Sequence, residues 1–376
     1  MRFDPKFALG WALLSYVEAT GYITLNLQPT LALREEIRQA AETALNLQPN
    51  LGEAAFAKGH YYYACLKDYG TAIRYFEQAR RLLPNNSQIP ESLAYVARRR
   101  GQWDQSEAYF NEAERLDPRN VSMLAQRAQS YISLRRFAEA LRKFDQILNI
   151  TPDDVGAIGS KAAVLQAQGN LSEAATLLAP LVPPPDDAIT LEIQVYQAIL
   201  ERRQTPIIAR LKEIVSKPDP SLGYINGEVR FYLAWAQQVT GDHAAAEANL
   251  RLARSELEPF LKDQPENFSL LADLAFANAC LGDKGAALAF ADQAMAAITP
   301  EKDALYGPYP LEIVARVAAV TRDADRAIPA LEKLLSIPYG SAVAPLTPAL
   351  LRLDPMFDPL RNDPRFQKLA ASEAPK

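Results

Sequence analysis

Histidine and cysteine are nearly missing from this chain. Its 376 residues hold two of each: His60 and His243, Cys65 and Cys280. Neither histidine has a cysteine or a second histidine at metal-ligand spacing, so no metal site can be drawn from the sequence. Two cysteines so far apart in sequence make no disulfide framework. Each reads as a small buried hydrophobe, which suits a reducing compartment. A glycine-rich phosphate loop is also missing, and Gly282-Asp283-Lys284-Gly285 reads as a turn between helices. No serine stands in a Gly-x-Ser-x-Gly setting. There is no basic excess: Lys plus Arg is 40, Asp plus Glu is 45, and the net charge is −5. A nucleic-acid partner is therefore not expected. No stretch reaches ~18 uninterrupted apolar residues. The most apolar, 268–298, is broken by Asp273, Asn278, Asp283, Lys284 and Asp292. A basic-then-apolar leader with a small-residue cleavage site is absent as well. The chain reads as soluble and cytoplasmic, with no catalytic residue, cofactor or metal. A periplasmic location is the alternative if it belongs to a larger membrane-anchored protein.

What is present is a period. Pro84, Pro118 and Pro152 stand 34 residues apart, and Phe76, Phe110 and Phe144 keep the same interval. Ala79 and Ala113 precede their prolines by five, with Ile147 in that place in the third unit. A fixed period of this size marks stacked supersecondary units. Within 85–118, Leu93, Ala94 and Ala97 share one helical face. Gly101 then ends the helix, because glycine enters the left-handed C′ conformation without steric cost. A second periodic run, from Trp103 through Phe110 to Leu116, is closed by Pro118. The unit is helix, turn, helix. One such hairpin cannot bury its own apolar stripe, so its neighbours must cover it. Ala94, Ala128, Ala113 and Ala140 let backbones approach, and the phenylalanines fill the wedge between units.

Taken in order, a first helix over 7–19 is followed by an insertion at 20–30 and a second helix over 35–47. Residue 5 reads as the end of a preceding unit. The 51–84 unit carries one extra residue, placed in the 67–70 turn. Regular units follow over 85–118, 119–152 and 153–186. Helices over 188–201 and 205–216 make a degenerate pair, and 217–223 reads as a hinge. Regularity returns over 227–261 and 268–300, and a last pair covers 311–321 and 324–335. The expected division is an N-terminal array (1–186), a degenerate pair with hinge (187–226), a C-terminal array (227–340) and a capping segment (341–376). In the cap, Asp354-Pro355, Asp358-Pro359 and Asp363-Pro364 each offer an N-cap aspartate with proline at N1. Leu353, Phe357, Leu360 and Phe366 are expected to dock on the last pair.

Gly59, Tyr62, Ala72, Phe76, Ala79 and Pro84 match the profile of the tetratricopeptide repeat, and so do Ala128, Tyr131, Ala140, Phe144 and Pro152. The chain resembles that family over 51–186. The resemblance implies an all-α, right-handed superhelix of about eight helix pairs. It also implies a non-catalytic scaffold that binds a protein or peptide on the concave face lined by the first helices. Applied residue by residue, it places Phe56, His60 and Tyr63 on that face, then Gln88, Glu91, Tyr95 and Arg98, then Gln126, Gln129 and Ser133. Further on it places Phe231, Trp235 and Gln238, then Phe276. Aromatics among amide side chains suit an extended or helical peptide. The alternative is that these aromatics pack between neighbouring first helices. Arg98-Arg99-Arg100 is the one basic cluster, either a solvated helix end or a contact for an acidic group. The family's carboxylate clamp is absent, since Phe56, His60, Ser92, Ser122 and Gln126 occupy its places. The last residues resemble the C-terminal ending of bacterial multidomain signalling proteins, where such an array follows a kinase, cyclase or winged-helix domain. That resemblance implies a sensory role beside an effector domain outside this chain.

Overall fold

The computed structural model describes residues 4–24, 26–203 and 206–372, and no strand occurs among them. Nine successive helix pairs are found among the described residues, one more than expected, because the degenerate middle pair is fully formed. They are α1 (Ala8–Thr24) and α2 (Leu31–Leu47), α3 (Gly52–Tyr61) and α4 (Tyr69–Leu82), α5 (Gln88–Arg99) and α6 (Trp103–Leu116). Then come α7 (Val121–Ser133) and α8 (Phe137–Ile150), α9 (Val155–Gln168) and α10 (Leu171–Leu178), α11 (Ala188–Glu201) and α12 (Pro206–Ser216). The last are α13 (Ile225–Val239) and α14 (His243–Leu257), α15 (Phe268–Cys280) and α16 (Lys284–Ala297), α17 (Tyr309–Val320) and α18 (Ala324–Ser336). Helix α1 runs into the expected insertion. Thr205, expected to open α12, lies outside the described residues.

The chain folds as two compact units. Unit 1 comprises Met1–Met123 with two short pieces from far along the chain, Lys262–Pro265 and Glu301–Ala304. Unit 2 comprises Leu124–Leu261, Glu266–Pro300 and Leu305–Lys376. The units thus divide at other places than 186, 226 and 340. Side-chain pairing accounts for the short pieces: Asp303 finds Arg99 and Tyr69, and Gln264 finds Gln28.

In unit 1 the signature residues pack as the period requires. Phe76, Ala72, Ala79, Ala94 and Ala113 are fully buried, and Phe110 nearly so. A Cβ on Gly59 would stand 2.6 Å from the Phe76 ring, which is why the position is glycine. The extra residue of the 51–84 unit is absorbed one turn earlier than expected. A π-helical turn, Tyr62–Leu66, extends α3 and ends at Lys67 with φ +53°. Such a turn takes in one residue without breaking the helix. Gly101 does end α5 at φ +72°.

In unit 2, Arg135 stands where neighbouring pairs carry glycine and holds φ +56°. Its guanidinium donates to the Leu334, Ile337 and Leu346 carbonyls at 2.8–3.1 Å, capping the end of α18. The tail continues as α19 (Pro348–Leu353), a 3-10 turn (Pro355–Leu360) and α20 (Pro364–Ala371). Asp354 and Asp363 cap the turn and α20 as expected, while Asp358 lies inside the 3-10 turn. Phe357, Leu360 and Phe366 are buried, and Leu353 is half-buried. No described helix is long and apolar enough to cross a membrane.

Candidate ligand-binding faces

Unit 1 gathers its expected contact residues into an aromatic cluster. Within it, the His60 ring lies edge-on to Tyr16, Phe56 and Phe76 at 4.7–5.2 Å between centroids. Ser92 Oγ donates its one proton to the Gln88 carbonyl at 2.7 Å. His60 Nε2, 3.0 Å from the same oxygen, must then be the donor to it. Burial pushes the His60 pKa down to about 3, so the ring is neutral. Beside it, Arg99 Nε donates to Tyr63 Oη at 2.8 Å, and Nη1 donates to Asp303 Oδ2. Tyr69 Oη donates to the same Asp303 oxygen at 2.9 Å, and Ala304 N donates to the Arg99 carbonyl at 2.7 Å. Glu91 accepts from Tyr95 Oη and, at 3.4 Å, from Asn120 Nδ2. The Arg98 guanidinium lies 4.9 Å over the Tyr95 ring.

This corrects the expectation of exposure. Phe56, His60, Tyr63 and Arg98 are buried, and only Gln88 and Tyr95 keep partial exposure. The physical reason is that adjacent first helices are close enough for their aromatics to stack on one another. Of the basic cluster Arg98-Arg99-Arg100, Arg99 is buried against an acidic group, Asp303, which lies 204 residues away and so gave no signal in the sequence.

In unit 2, Gln126 and Gln129 are half-buried on α7, and Ser133 is buried. On α13, Phe231 and Trp235 are buried and stack at 6.0 Å, so exposure is corrected here too. Phe231 also stacks on Phe276 of α15 at 6.2 Å. Phe276 is half-buried and Gln238 exposed.

The same helices carry a set of charges that sequence reading missed. Glu192 (α11), Glu228 (α13), Asp273 (α15) and Glu312 (α17) come from four consecutive first helices. Glu228, Phe231, Tyr232 and Trp235 follow i, i+3, i+4, i+7 and so share a face. Asp273 precedes Phe276 by three. These spacings were the available signal, yet Asp273 registered only as a break in an apolar run. Tyr232 Oη donates to Glu228 Oε1 at 2.8 Å. Asp273 is buried, and its Oδ2 has no hydrogen-bond partner. Burial, then the charge of Glu228, pushes the Glu192 pKa up to about 8. Burial raises Glu228 as well, and burial together with Glu228 and Glu192 holds Asp273 far above the usual carboxylate range.

The one arginine beside them is committed elsewhere. Arg316 Nε donates to Glu312 Oε1 at 2.8 Å and Nη1 to Asp354 Oδ2 at 2.5 Å. Tyr196 donates to Asp354 at 2.8 Å, and Tyr339 and Ser341 donate to Glu312 Oε2 at 2.8 and 3.0 Å. That network ties the tail to α17. Among the described residues, no three His, Cys, Asp or Glu side chains are placed to hold a metal ion. Cys65 is buried and Cys280 half-buried, both as free thiols, and burial pushes them up to about 12 and about 11.

The described chain is an all-α array of helix pairs. Residues 56–121 and 91–155 match the tetratricopeptide repeat model, so this stretch consists of tetratricopeptide repeats. Such repeats form a protein-interaction scaffold. Yeast Tom70 is a structural neighbour at 16% identity and TM-score 0.52, covering 81% of this chain and 61% of Tom70. At that identity the likeness shows the fold alone. Human IFIT1 solved with PPP-AAAA aligns at 17% identity and TM-score 0.47, over 70% of this chain and 68% of that one. A tetratricopeptide repeat protein from Parabacteroides merdae ATCC 43184 aligns at 16% identity and TM-score 0.36, over 77% and 93%. No curated protein sequence matches this chain.

Proposed function

We propose that this chain is a non-catalytic scaffold whose first helices bind a protein or peptide partner, with the face of α11, α13, α15 and α17 as the main contact surface. The observation that carries this is a buried Asp273 oxygen without a partner on a face that bears further carboxyls. The unit 1 face has Asp303 and Ala304 of its own unit already bonded to Arg99. The unit 2 face keeps half-buried Glu192, Glu228, Phe276 and Tyr309 around an Asp273 oxygen without a partner. Buried polar groups are almost always satisfied, so an orphan in a partly accessible setting favours a missing guest. Gln238 and Phe276 supply contact area, and buried Phe231 and Trp235 shape the surface from behind. Gln88, Tyr95, Gln126 and Gln129 are secondary contacts.

The test is selection from a random peptide library on wild type and on Phe276→Leu, a change that keeps apolar volume. Enrichment on wild type with at least tenfold weaker recovery on the variant is expected. No enrichment, or equal enrichment on both, would count against the reading.

A further inference from the structure

We infer that the face of α11, α13, α15 and α17 recognises the guanidinium group of an arginine in the bound peptide. The inference rests on the reading of that face as a peptide-binding surface, and names the group it grips.

Three carboxyl groups meet here with too few hydrogens among them. Tyr232 has one hydroxyl proton, and it is given to Glu228 Oε1. No proton of that hydroxyl is left for Glu192, whose carboxyl burial keeps protonated at neutral pH. Asp273 is 7% exposed and its Oδ2 is bonded to nothing. Charged and titratable neighbours come from all four helices. Glu192 faces the site from α11, Glu228 and Tyr232 from α13, Asp273 from α15, and Tyr309, Glu312 and Arg316 from α17. Arg316 is the only base among these neighbours, and Glu312 and Asp354 hold it. The site's own cation is therefore committed to Glu312 and Asp354, and Asp273 is left without one.

The kind of cation follows from spacing and surroundings. The carboxyls are not gathered at metal-ligand distance. A larger, flat cation with several N–H donors suits acceptors spread over three helices. Phe276 and Tyr309 are both half-buried at the same face. A guanidinium stacks on aromatic faces, matches carboxylates with its fork of donors and is less costly to strip of water than an ammonium. Its arrival lets Glu192 and its neighbours ionise, so a proton leaves to solvent as the arginine enters.

The experiment titrates N-acetyl-arginine amide and N-acetyl-citrulline amide into wild type, Asp273→Asn and Glu192→Gln at pH 7. Thermal shift is read, together with calorimetric heats in phosphate and in Tris. Arginine amide should raise the wild-type Tm and release protons, whereas citrulline amide should do neither. Asp273→Asn should raise the Tm of the free protein and weaken arginine amide at least tenfold. Glu192→Gln should abolish the buffer-dependent heat. Equal responses to arginine and citrulline, or an unweakened response in Asp273→Asn, would overturn the inference. A peptide pool with one fixed arginine, or citrulline in its place, runs in parallel. If both pools bind equally and Phe276→Leu loses both, the peptide surface stands and the guanidinium site falls. If neither pool binds, the peptide surface falls, and the amide titration alone decides the guanidinium site.

Discussion

The two units carry comparable aromatic faces in opposite electrostatic states. In unit 1 two of the charges near the aromatics are answered within the unit: Arg99 by Asp303, and Glu91 by Tyr95 and Asn120. His60 is kept neutral against Ser92. In unit 2 the answered group is Arg316, while Tyr232 gives its one hydroxyl proton to Glu228 and Asp273 Oδ2 has no partner. The difference separates what holds a fold together from what is held ready for something else. A matched buried pair is costly to break, whereas an unmatched buried acid is costly to keep.

The comparison can be broken most forcefully at Asp303. Asp303→Ala would leave Arg99 buried without its acid, and unit 1 should lose about 3–5 kcal/mol of stability. Urea unfolding followed by Trp103 fluorescence in a Trp11→Phe/Trp235→Phe background would show it. An unchanged midpoint would mean that the pair is not structural. Next in size come the responses to pH, which should run in opposite directions. Glu192 is raised to about 8, so the folded protein holds a proton that the unfolded chain has released. Its contribution is present at acid pH and is lost as pH rises from about 4.5 through about 8. His60 is lowered to about 3, so the unfolded chain takes up a proton that the folded one refuses. Its contribution is present above about 6.5 and is lost as pH falls toward about 3. Glu192→Gln should flatten the alkaline decline of unit 2 alone, and His60→Gln the acid decline of unit 1 alone. Chemical denaturation at a series of pH values tests both. The smallest effect is at Tyr339, whose hydroxyl donates to Glu312 and accepts from Leu346 N at 2.8 Å each. Tyr339→Phe should cost about 1–3 kcal/mol in unit 2 and nothing in unit 1.

The repeat was legible because proline, phenylalanine and alanine recur at one interval, and each has a local reason to stand there. Pro84 and Pro118 close helices, and Phe76 and Phe110 fill the wedge. The faces were half legible. Helical spacing told which side of α3 or α13 Phe56 and Trp235 occupy, but spacing carries no information on what lies over that side. Both turned out covered. Arg99 and Asp303 were out of reach for another reason: their pairing joins a helix end to a loop 204 residues on, with no shared period. The acidic group was hidden in plain composition. Glu192, Glu228 and Asp273 each look like an ordinary solvated charge until the helices that bear them are set side by side. The π-turn at Tyr62–Leu66 shows the same limit at short range, since an added residue can be absorbed anywhere along the helix end.

The account stands most directly on Asp273. With Trp11→Phe and Trp103→Phe as background, Trp235 reports unit 2 alone, and its urea midpoint can be compared with and without the Asp273→Asn substitution. A gain of about 1–3 kcal/mol in the Asp273→Asn protein is predicted, because the amide carries no titrating charge beside Glu228 and Glu192 and brings N–H donors to neighbouring acceptors. A loss of stability would mean that the carboxyl is a structural member of the fold, and would contradict the claim that this face is held open for a guest.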